Sequence, residues 1–234
     1  MVNAVQDFFV EKYKTEVKVH NIVSAVDGVS VFVESIGEPH FYTFAIVPVD
    51  VESGEVETNR VWSQEGQVED AIQGGLYAMA YEEEFSNLDA YLEGVTNEYP
   101  VVGTPMEAIE NVKGNGYTTP YYFISTFDDV FDDLLDVYLE NPKLTKQEIR
   151  RFFKENPFES NYLAIGIEFY MKDADVEPDQ NILNKIAKDL KQMEGIPRGE
   201  YSLALNDNYI DKKRGIGKKD NTLRKATPDT IIKE

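Results

Sequence analysis

The chain has 234 residues with no cysteine, two histidines, and 43 acidic against 23 basic residues, which gives a formal net charge of −20. The absence of cysteine excludes disulfides, thiolate catalysis and any zinc or iron–sulfur site that depends on thiolate ligands. With 42% apolar residues, the chain can bury a core without a structural metal, and its length suits one large or two small domains. No apolar run reaches the roughly 18 residues that a membrane-spanning helix needs.

The acidic charge is concentrated in the middle of the chain. Residues 50–140 carry 21 acidic residues and two basic ones, whereas residues 212–234 carry eight basic and three acidic residues. An acidic middle repels nucleic acids and anionic lipid head groups, so neither is an expected partner. We predict a solubilising surface there, with binding of divalent cations as an alternative. Residues 212–234 are expected to form a mobile basic tail that contacts the acidic middle.

The first hundred residues show the pattern of a helix followed by an antiparallel meander. Apolar residues spaced by three or four predict the helix: they are Val2, Val5, Phe9 and Tyr13. β-branched and alternating apolar residues predict strands over Val17–Ala25, 29–34, Phe41–Val49 and Glu55–Trp62, with a hairpin turn at Asp27-Gly28. Two further helices have core positions over 68–79 and 85–95. Gly74 and Gly75 lie inside the first of them, at a cost of roughly 1 kcal/mol each relative to alanine, so we expect another element to approach closely there.

The following residues predict a second α+β half that continues the same core. Capping boxes and turn residues predict helices that begin near Thr104, Asp128, Thr145 and Pro178. Strands are predicted over Tyr117–Thr126, 163–171 and 201–205. Strands grouped early and helices later favour the α+β class over a doubly wound sheet. The predicted divisions are residues 1–100, residues 101–211 and the tail 212–234, with the two halves packed as one large or two small domains.

The two histidines are the first candidates for chemistry. His20 falls in the first predicted strand and His40 at the entry to the third. Adjacent antiparallel strands could bring them together, and Glu34 or Glu38 could complete a metal site or an acid–base pair. A metal-dependent or hydrolytic enzyme that uses His20 and His40 is therefore one possible function. The plainer interpretation is two histidines at a surface or at strand ends.

Other patterns carry weaker signals. Arg60 and Trp62 form a possible ligand-binding anchor, although a lone tryptophan near a strand end more often fills a core. The aspartates of 128–136 suit a helix N-terminus and a solvated face. The acidic loop 173–179 lacks the glycine and the glutamate of a calcium-binding loop, and residues 215–219 lack the spacing of a phosphate-binding loop. With no Gly-x-Ser-x-Gly elbow either, the sequence predicts no catalytic residue, metal or cofactor.

Several segments together resemble an uncharacterised family of lipoproteins from Gram-positive bacteria. They are Phe8-Phe9, Lys18-Val19-His20-Asn21, Asn59-Arg60-Val61-Trp62-Ser63, Val68-Glu69-Asp70-Ala71-Ile72, Gly75-Leu76-Tyr77-Ala78, Asn115-Gly116-Tyr117-Thr118-Thr119-Pro120-Tyr121-Tyr122, Tyr170-Met171-Lys172-Asp173, Leu205-Asn206-Asp207-Asn208 and Gly217-Lys218-Lys219-Asp220-Asn221. The resemblance covers most of the chain, and none of these segments is a known catalytic motif.

The resemblance implies a protein held on the outer face of the cell membrane by a lipid on an N-terminal cysteine. This chain shows neither a signal peptide nor that cysteine, and we expect its start to have been lost. The leading hypothesis is therefore a non-enzymatic, extracytoplasmic protein that binds an unknown protein or small ligand. The predicted ligand-binding residues are His20, His40, Arg60, Trp62, Asn206, Asp207 and Asn208.

Overall fold

A helix and a three-stranded antiparallel sheet open the fold, as predicted. The computed structural model describes residues 1–26, 28–50, 52–208 and 221–234. Helix α1 (Val2–Tyr13) precedes β1 (Val17–Ala25), β2 (Gly28–Ser35) and β3 (Tyr42–Pro48), which pair in that order. Alternate side chains of β2 and β3 are buried together with Phe9 of α1, because one face of the sheet covers the core. Asp27, the first residue of the predicted hairpin turn, lies outside the described residues.

The predicted strand over Glu55–Trp62 is wrong. In this segment Val56 forms a single bridge to Val49, and Trp62 forms one to Ile46. The chain instead folds on itself, since the backbone amides of Thr58 and Arg60 donate to the nearby carbonyls of Val56 and Glu57, each at 3.0 Å. Such local bonds satisfy backbone groups that would otherwise enter a strand ladder.

Two long helices form the centre of the molecule. Helix α2 (Gln67–Ala80) is buried on most of its surface. It packs against β3 and against three later elements, β5 (Tyr122–Thr126), α5 (Asp129–Glu140) and α6 (Lys146–Glu155). Helix α3 (Glu82–Glu98) buries one stripe, formed by Phe85, Leu88, Leu92 and Val95. Both match the helices that the apolar spacing predicts.

The second half supplies four more helices and six short or medium strands among the described residues. In chain order they are β4 (Val101–Val102), α4 (Met106–Ala108) with a π-helical turn (Ile109–Lys113), β5 (Tyr122–Thr126), α5 (Asp129–Glu140), α6 (Lys146–Glu155), a 3-10 turn (Ser160–Tyr162), β6 (Leu163–Met171), α7 (Gln180–Gln192), β7 (Gly199–Asn206), β8 (Leu223–Lys225) and β9 (Ile231–Lys233). The predicted capping box is present, because the side chains of Thr145 and Glu148 each bond the other residue's backbone amide.

A mixed sheet organises this half. Strand β6 pairs in parallel with β7 and antiparallel with β4 and β5, and β7 in turn pairs antiparallel with β8 and β9. Ile124, Ile165 and Tyr201 lie in register across the three central strands and are buried on one face. Helix α7 packs against β7, β8 and β9. The α+β class is therefore confirmed.

The C-terminal residues correct the expectation of a mobile tail. Residues 223–225 and 231–233 extend the sheet on β7, and Ile231 is buried. These two segments thus join the mixed sheet through backbone pairing with β7. The basic residues of 212–219 lie outside the described part of the chain. Within the described residues, no helix combines the length and the apolarity needed to cross a membrane.

Candidate functional site

The carboxylate of Glu34 joins the two histidines. A β-bulge shifts the register of β1 between Val19 and Asn21, so that His20 lies at the irregularity. His20 Nε2 is 2.6 Å from Glu34 Oε2, and His40 Nε2 is 3.0 Å from Glu34 Oε1. The Tyr42 hydroxyl donates to Glu34 Oε1 at 3.3 Å. The sequence correctly suggested that these strands bring the histidines together, with Glu34 rather than Glu38 between them.

A second carboxylate reaches the same imidazole from outside the sheet. Glu110 belongs to the π-helical turn Ile109–Lys113, and its Oε1 lies 3.8 Å from His20 Nδ1. The turn is attached to β1 by the Asn21 side chain, whose amide donates to the Asn111 carbonyl at 3.0 Å. His20 is therefore held between Glu34 and Glu110, and 8% of its side chain is exposed.

The charges around Glu34 change its proton affinity. Burial alone favours the neutral acid, but the hydrogen bonds and charges of His40 and His20 outweigh it and hold the pKa of Glu34 below its ordinary value. Burial and the nearby Glu34 carboxylate raise the pKa of the Tyr42 hydroxyl. Within the described residues the polar contacts of both imidazoles end on carboxylates, whereas a hydrolytic triad needs a contact with a serine hydroxyl.

A separate cavity of about 340 Å³ opens between α2, the segment 113–118 and β5. Its wall is formed by Asp70 and Ala71 of α2, by Lys113, Asn115, Gly116 and Thr118, and by residues 123–127. Such a volume is in the range of small-ligand pockets. Neither histidine lines it.

Negative charge gathers at this cavity. Partial desolvation by the cavity wall, followed by the carboxylates of Asp132 and Glu69, raises the pKa of Asp70. Lys12 lies 3.5 Å from Glu69, but no lysine or arginine of the described chain pairs with Asp70 or Asp132. Within the described residues, the Asp70 carboxylate in the cavity wall is therefore not neutralised by an ion pair.

A buried chain of hydrogen bonds fixes the position of Asp132. The Thr126 hydroxyl donates to Gln73 Oε1 at 2.8 Å, and Gln73 Nε2 donates to Asp132 Oδ1 at 2.8 Å. Gln73 is 2% exposed, so its amide has a single orientation that satisfies both partners. The carboxylate of Asp132 is thus tied to the strand that lines the cavity.

Two aromatic side chains stand exposed at the same cavity. Phe123 is 43% and Phe127 is 64% exposed. The ring of Phe123 lies over Gly166 of β6, where a side chain would collide with it. Lys113, the basic residue of the cavity wall, already pairs with Glu168 and donates to the Tyr170 hydroxyl. The accessible features of the cavity are therefore aromatic and acidic.

Arg60 and Trp62 lie apart from both places. Arg60 pairs with Glu57 at 2.7 Å, three residues away, and most of its side chain is exposed. Trp62 is 46% exposed, so the interpretation of a core-filling tryptophan is wrong. The two residues share the loop before α2 but line neither the cavity nor the histidine cluster.

Asn206, Asp207 and Asn208 stand at the end of β7. Asn206 is fully buried, donates to the carbonyl of Phe169 at 3.1 Å, and accepts from the Thr222 hydroxyl at 2.8 Å. It thus joins β6, β7 and the segment before β8. Asn208 donates to the Lys172 carbonyl, and Asp207 Oδ1 is buried without a hydrogen-bond partner among the described residues. The seven predicted ligand-binding residues therefore occupy three separate places.

Sequence reasoning missed the residues of the cavity. In the sequence, Asp70 stands only within a family-like segment and Phe123 only within a predicted strand. A signal did exist for Phe123, because it alternates with Tyr122 and Ile124, which a one-sided strand would bury. Such a strand would therefore place the ring of Phe123 on its opposite, exposed face.

The comparisons with known proteins agree with this fold. No curated protein matches the chain. The chain is similar to the crystal structure of a DUF1672 family protein from Staphylococcus aureus subsp. aureus Mu50, with a TM-score of 0.75 and 20% identity over 99% of this chain and 86% of that one. At this identity, the likeness concerns the fold alone. The model of the family described as "Protein of unknown function (DUF1672)" matches residues 1–233, and the chain belongs to that family.

Proposed function

We propose that this is a non-enzymatic binding protein that receives a basic side chain of a partner polypeptide in the cavity between α2 and β5. The observation that carries the proposal is that one cavity wall holds both the exposed Phe127 ring and the Asp70 carboxylate, with which no lysine or arginine of the described chain pairs. A carboxylate favours a cation there, and an aromatic face adds attraction for the same cation. The two features therefore select one kind of ligand.

The apolar part of the wall extends this selection. Ala71 and Ile124 line the cavity together with Phe123. The methylene stem of a lysine or arginine would pack on these side chains while its charged end meets Asp70. A cavity of about 340 Å³ accommodates one such side chain and part of a neighbour.

The wider charge distribution favours the same partner. Residues 50–140, which include α2, β5 and all of α5, carry 21 acidic and two basic residues. This excess attracts a basic segment over a distance of about one Debye length and repels acidic partners. Binding should therefore weaken as salt concentration rises.

The test is fluorescence anisotropy with a library of short labelled peptides that contain arginine or lysine beside leucine, and with matched peptides in which glutamate replaces the basic residue. We expect basic peptides to bind and the glutamate versions not to bind. Asp70→Asn and Phe127→Ser should each weaken binding by about tenfold, as expected for the loss of one charge-assisted contact or one aromatic contact.

Matched controls separate the cavity from general acidity. Asp136→Asn removes an exposed carboxylate of α5 that does not line the cavity. Ile36→Ser removes an apolar side chain outside the cavity that is 58% exposed. Both should bind like the unaltered protein. The proposal fails if Asp70→Asn and Asp136→Asn weaken binding equally, or if the glutamate peptides bind as well. Competition by free arginine amide at similar concentration would indicate a small cationic ligand instead of a polypeptide.

We also propose that the protein works outside the cytoplasm, held at the membrane by an N-terminal lipid. Support comes from the resemblance to a family of lipoproteins and from the absence of cysteine in the chain, which suits an exported protein with a single lipidated cysteine. The test is the DNA that precedes the codon of Met1. A reading frame that encodes a signal peptide with a lipobox cysteine supports the anchor, and an immediate in-frame stop codon rejects it.

A further inference from the structure

We propose that His20, Glu34 and Glu110 form a binding site for a divalent transition-metal ion, for which zinc is the best match, and that His40 orients Glu34. One potential ligand atom from each of the three residues lies within 4.8 Å of the others. Imidazole nitrogen and carboxylate oxygen are common zinc ligands in proteins without thiolates. This site is separate from the peptide-binding cavity and does not depend on it.

The spacing is close to that of a coordinated ion. Bonds of about 2.0–2.2 Å place the ligand atoms of a tetrahedral zinc ion roughly 3.3 Å apart. His20 Nδ1 and Glu110 Oε1 are 3.8 Å apart. These two atoms would need to approach by about half an ångström, and Glu110 is free to move because 41% of its side chain is exposed. An ion bonds one nitrogen of the imidazole, so Glu34 Oε2 would also have to turn away from its 2.6 Å contact with His20 Nε2.

Two irregular backbone segments bring these ligands together. The β-bulge of β1 carries His20, and the π-helical turn Ile109–Lys113 carries Glu110. β-Bulges redirect side chains, and π-helical turns occur frequently at functional sites. The two irregularities bring His20 and Glu110 to within 3.8 Å of each other, although the two residues are far apart in sequence.

The surroundings orient the central ligand. His40 Nε2 bonds Glu34 Oε1 at 3.0 Å, and the Tyr42 hydroxyl donates to that same oxygen, which leaves Glu34 Oε2 directed toward His20. Hydrogen bonds of this kind hold metal-binding carboxylates in place. The charge also fits, because two carboxylates face one imidazole and the nearby Lys113 is engaged by Glu168.

The test is zinc titration of the full chain, freed of any affinity tag and treated with a chelator, by calorimetry and by competition with a chromogenic chelator. We expect one zinc ion per chain. His20→Gln and Glu110→Gln should each weaken binding at least about tenfold, and His40→Gln should weaken it by about 10–100-fold through the loss of the bond that orients Glu34. Calcium and magnesium, which prefer oxygen ligands, should not compete.

The composition supplies an unusually direct control. Since the chain has two histidines and no cysteine, X-ray absorption evidence of an imidazole ligand must come from His20 or His40. Glu107→Gln removes a carboxylate three residues before Glu110 and should leave zinc affinity unchanged. Because Glu110 is partly exposed, its variant should fold even if the His20 variant does not. Zinc affinity unchanged in Glu110→Gln, or the absence of stoichiometric uptake, would overturn the proposal.

Discussion

Helix α2 touches the entry to β3 at Gly75, where a Cβ atom would lie 2.7 Å from the carbonyl oxygen of His40. Real Cβ atoms do not approach a backbone oxygen so closely, and the oxygen cannot move without shifting the chain that carries His40. At the adjacent Gly74, a Cβ atom would meet Ile124 at 3.7 Å, which is an ordinary contact. The close approach that the glycine pair predicted is therefore confirmed, and it is located at Gly75.

These two neighbours should respond oppositely to the same substitution. Gly75→Ala should lower the free energy of unfolding by about 1–2 kcal/mol, because overpacking outweighs the gain in helix propensity. Gly74→Ala should raise it by about 0.5–1 kcal/mol, because alanine stabilises a helix interior where space exists. Urea denaturation of both variants measures the difference, and destabilisation by Gly74→Ala of the same size would contradict the assignment.

The C-terminal strand should contribute to stability through burial. Ile231 is 3% exposed, whereas its neighbour Ile232 is 48% exposed. Ile231→Ala should lower the free energy of unfolding by about 2–4 kcal/mol, and Ile232→Ala should change it by no more than about 0.5 kcal/mol. Denaturation at low and at high salt should give the same loss. A loss that disappears at high salt would restore the idea of a tail held by charge.

The sequence predicts best those elements in which apolar residues recur at a regular spacing. Helices α1, α2 and α5 were found from their apolar spacing, and α6 from its capping box at Thr145. Strands β8 and β9 could not be found this way, because three residues give no period and the surrounding sequence is charged. Their pairing with β7 is accompanied by the Thr222–Asn206 and Thr230–Glu200 hydrogen bonds, which join segments distant in sequence.

The candidate sites show the same limit. The meeting of His20 and His40 followed from antiparallel pairing, which is a local rule. The position of Glu110 next to His20 and the cavity beside Asp70 both depend on how the segment 109–118 packs between the two sheets. No residue spacing in the sequence predicts this packing. The π-helical turn is itself a tertiary effect, since residues 104–113 carry the signals of an ordinary helix.

The Glu34 carboxylate should stabilise the fold above acidic pH. Its pKa in the folded protein lies below the reference value of 4.5, so the ionised form is favoured by folding. His20, His40, Tyr42 and Glu110 face it. Glu34→Gln should therefore lower the free energy of unfolding at pH 7 by about 1–3 kcal/mol, as for hydrogen bonds to a charged group. The difference should shrink as the pH falls from about 4.5 through the lowered pKa.

Thermal denaturation of both proteins between pH 3 and pH 8 measures this difference. Glu57→Gln is the control, because Glu57 pairs with Arg60 at the surface and should change stability by less than about 0.5–1 kcal/mol at any pH. A constant deficit of Glu34→Gln across the whole range would mean that the charge of Glu34 does not matter.

Asp70 should have the opposite effect on stability. Its pKa is raised in the folded protein by partial burial and by Asp132 and Glu69, so ionisation is less favourable there than in the unfolded chain. Below the unfolded value of about 3.9 the group is neutral in both states and costs nothing, and the cost appears as the pH rises through the raised pKa. Asp70→Asn should therefore melt at a higher temperature than the unaltered protein at pH 7.

The melting temperatures should converge as the pH falls below about 4, while Asp136→Asn should show no such trend. A basic peptide bound in the cavity should raise the melting temperature of the unaltered protein more than that of Asp70→Asn. The reason is that the peptide supplies a positive charge beside the Asp70 carboxylate, which the asparagine variant does not have. A destabilising carboxylate that a ligand neutralises is the expected sign of a residue kept for binding. Equal melting temperatures at pH 7, with or without peptide, would remove Asp70 from the proposed binding site.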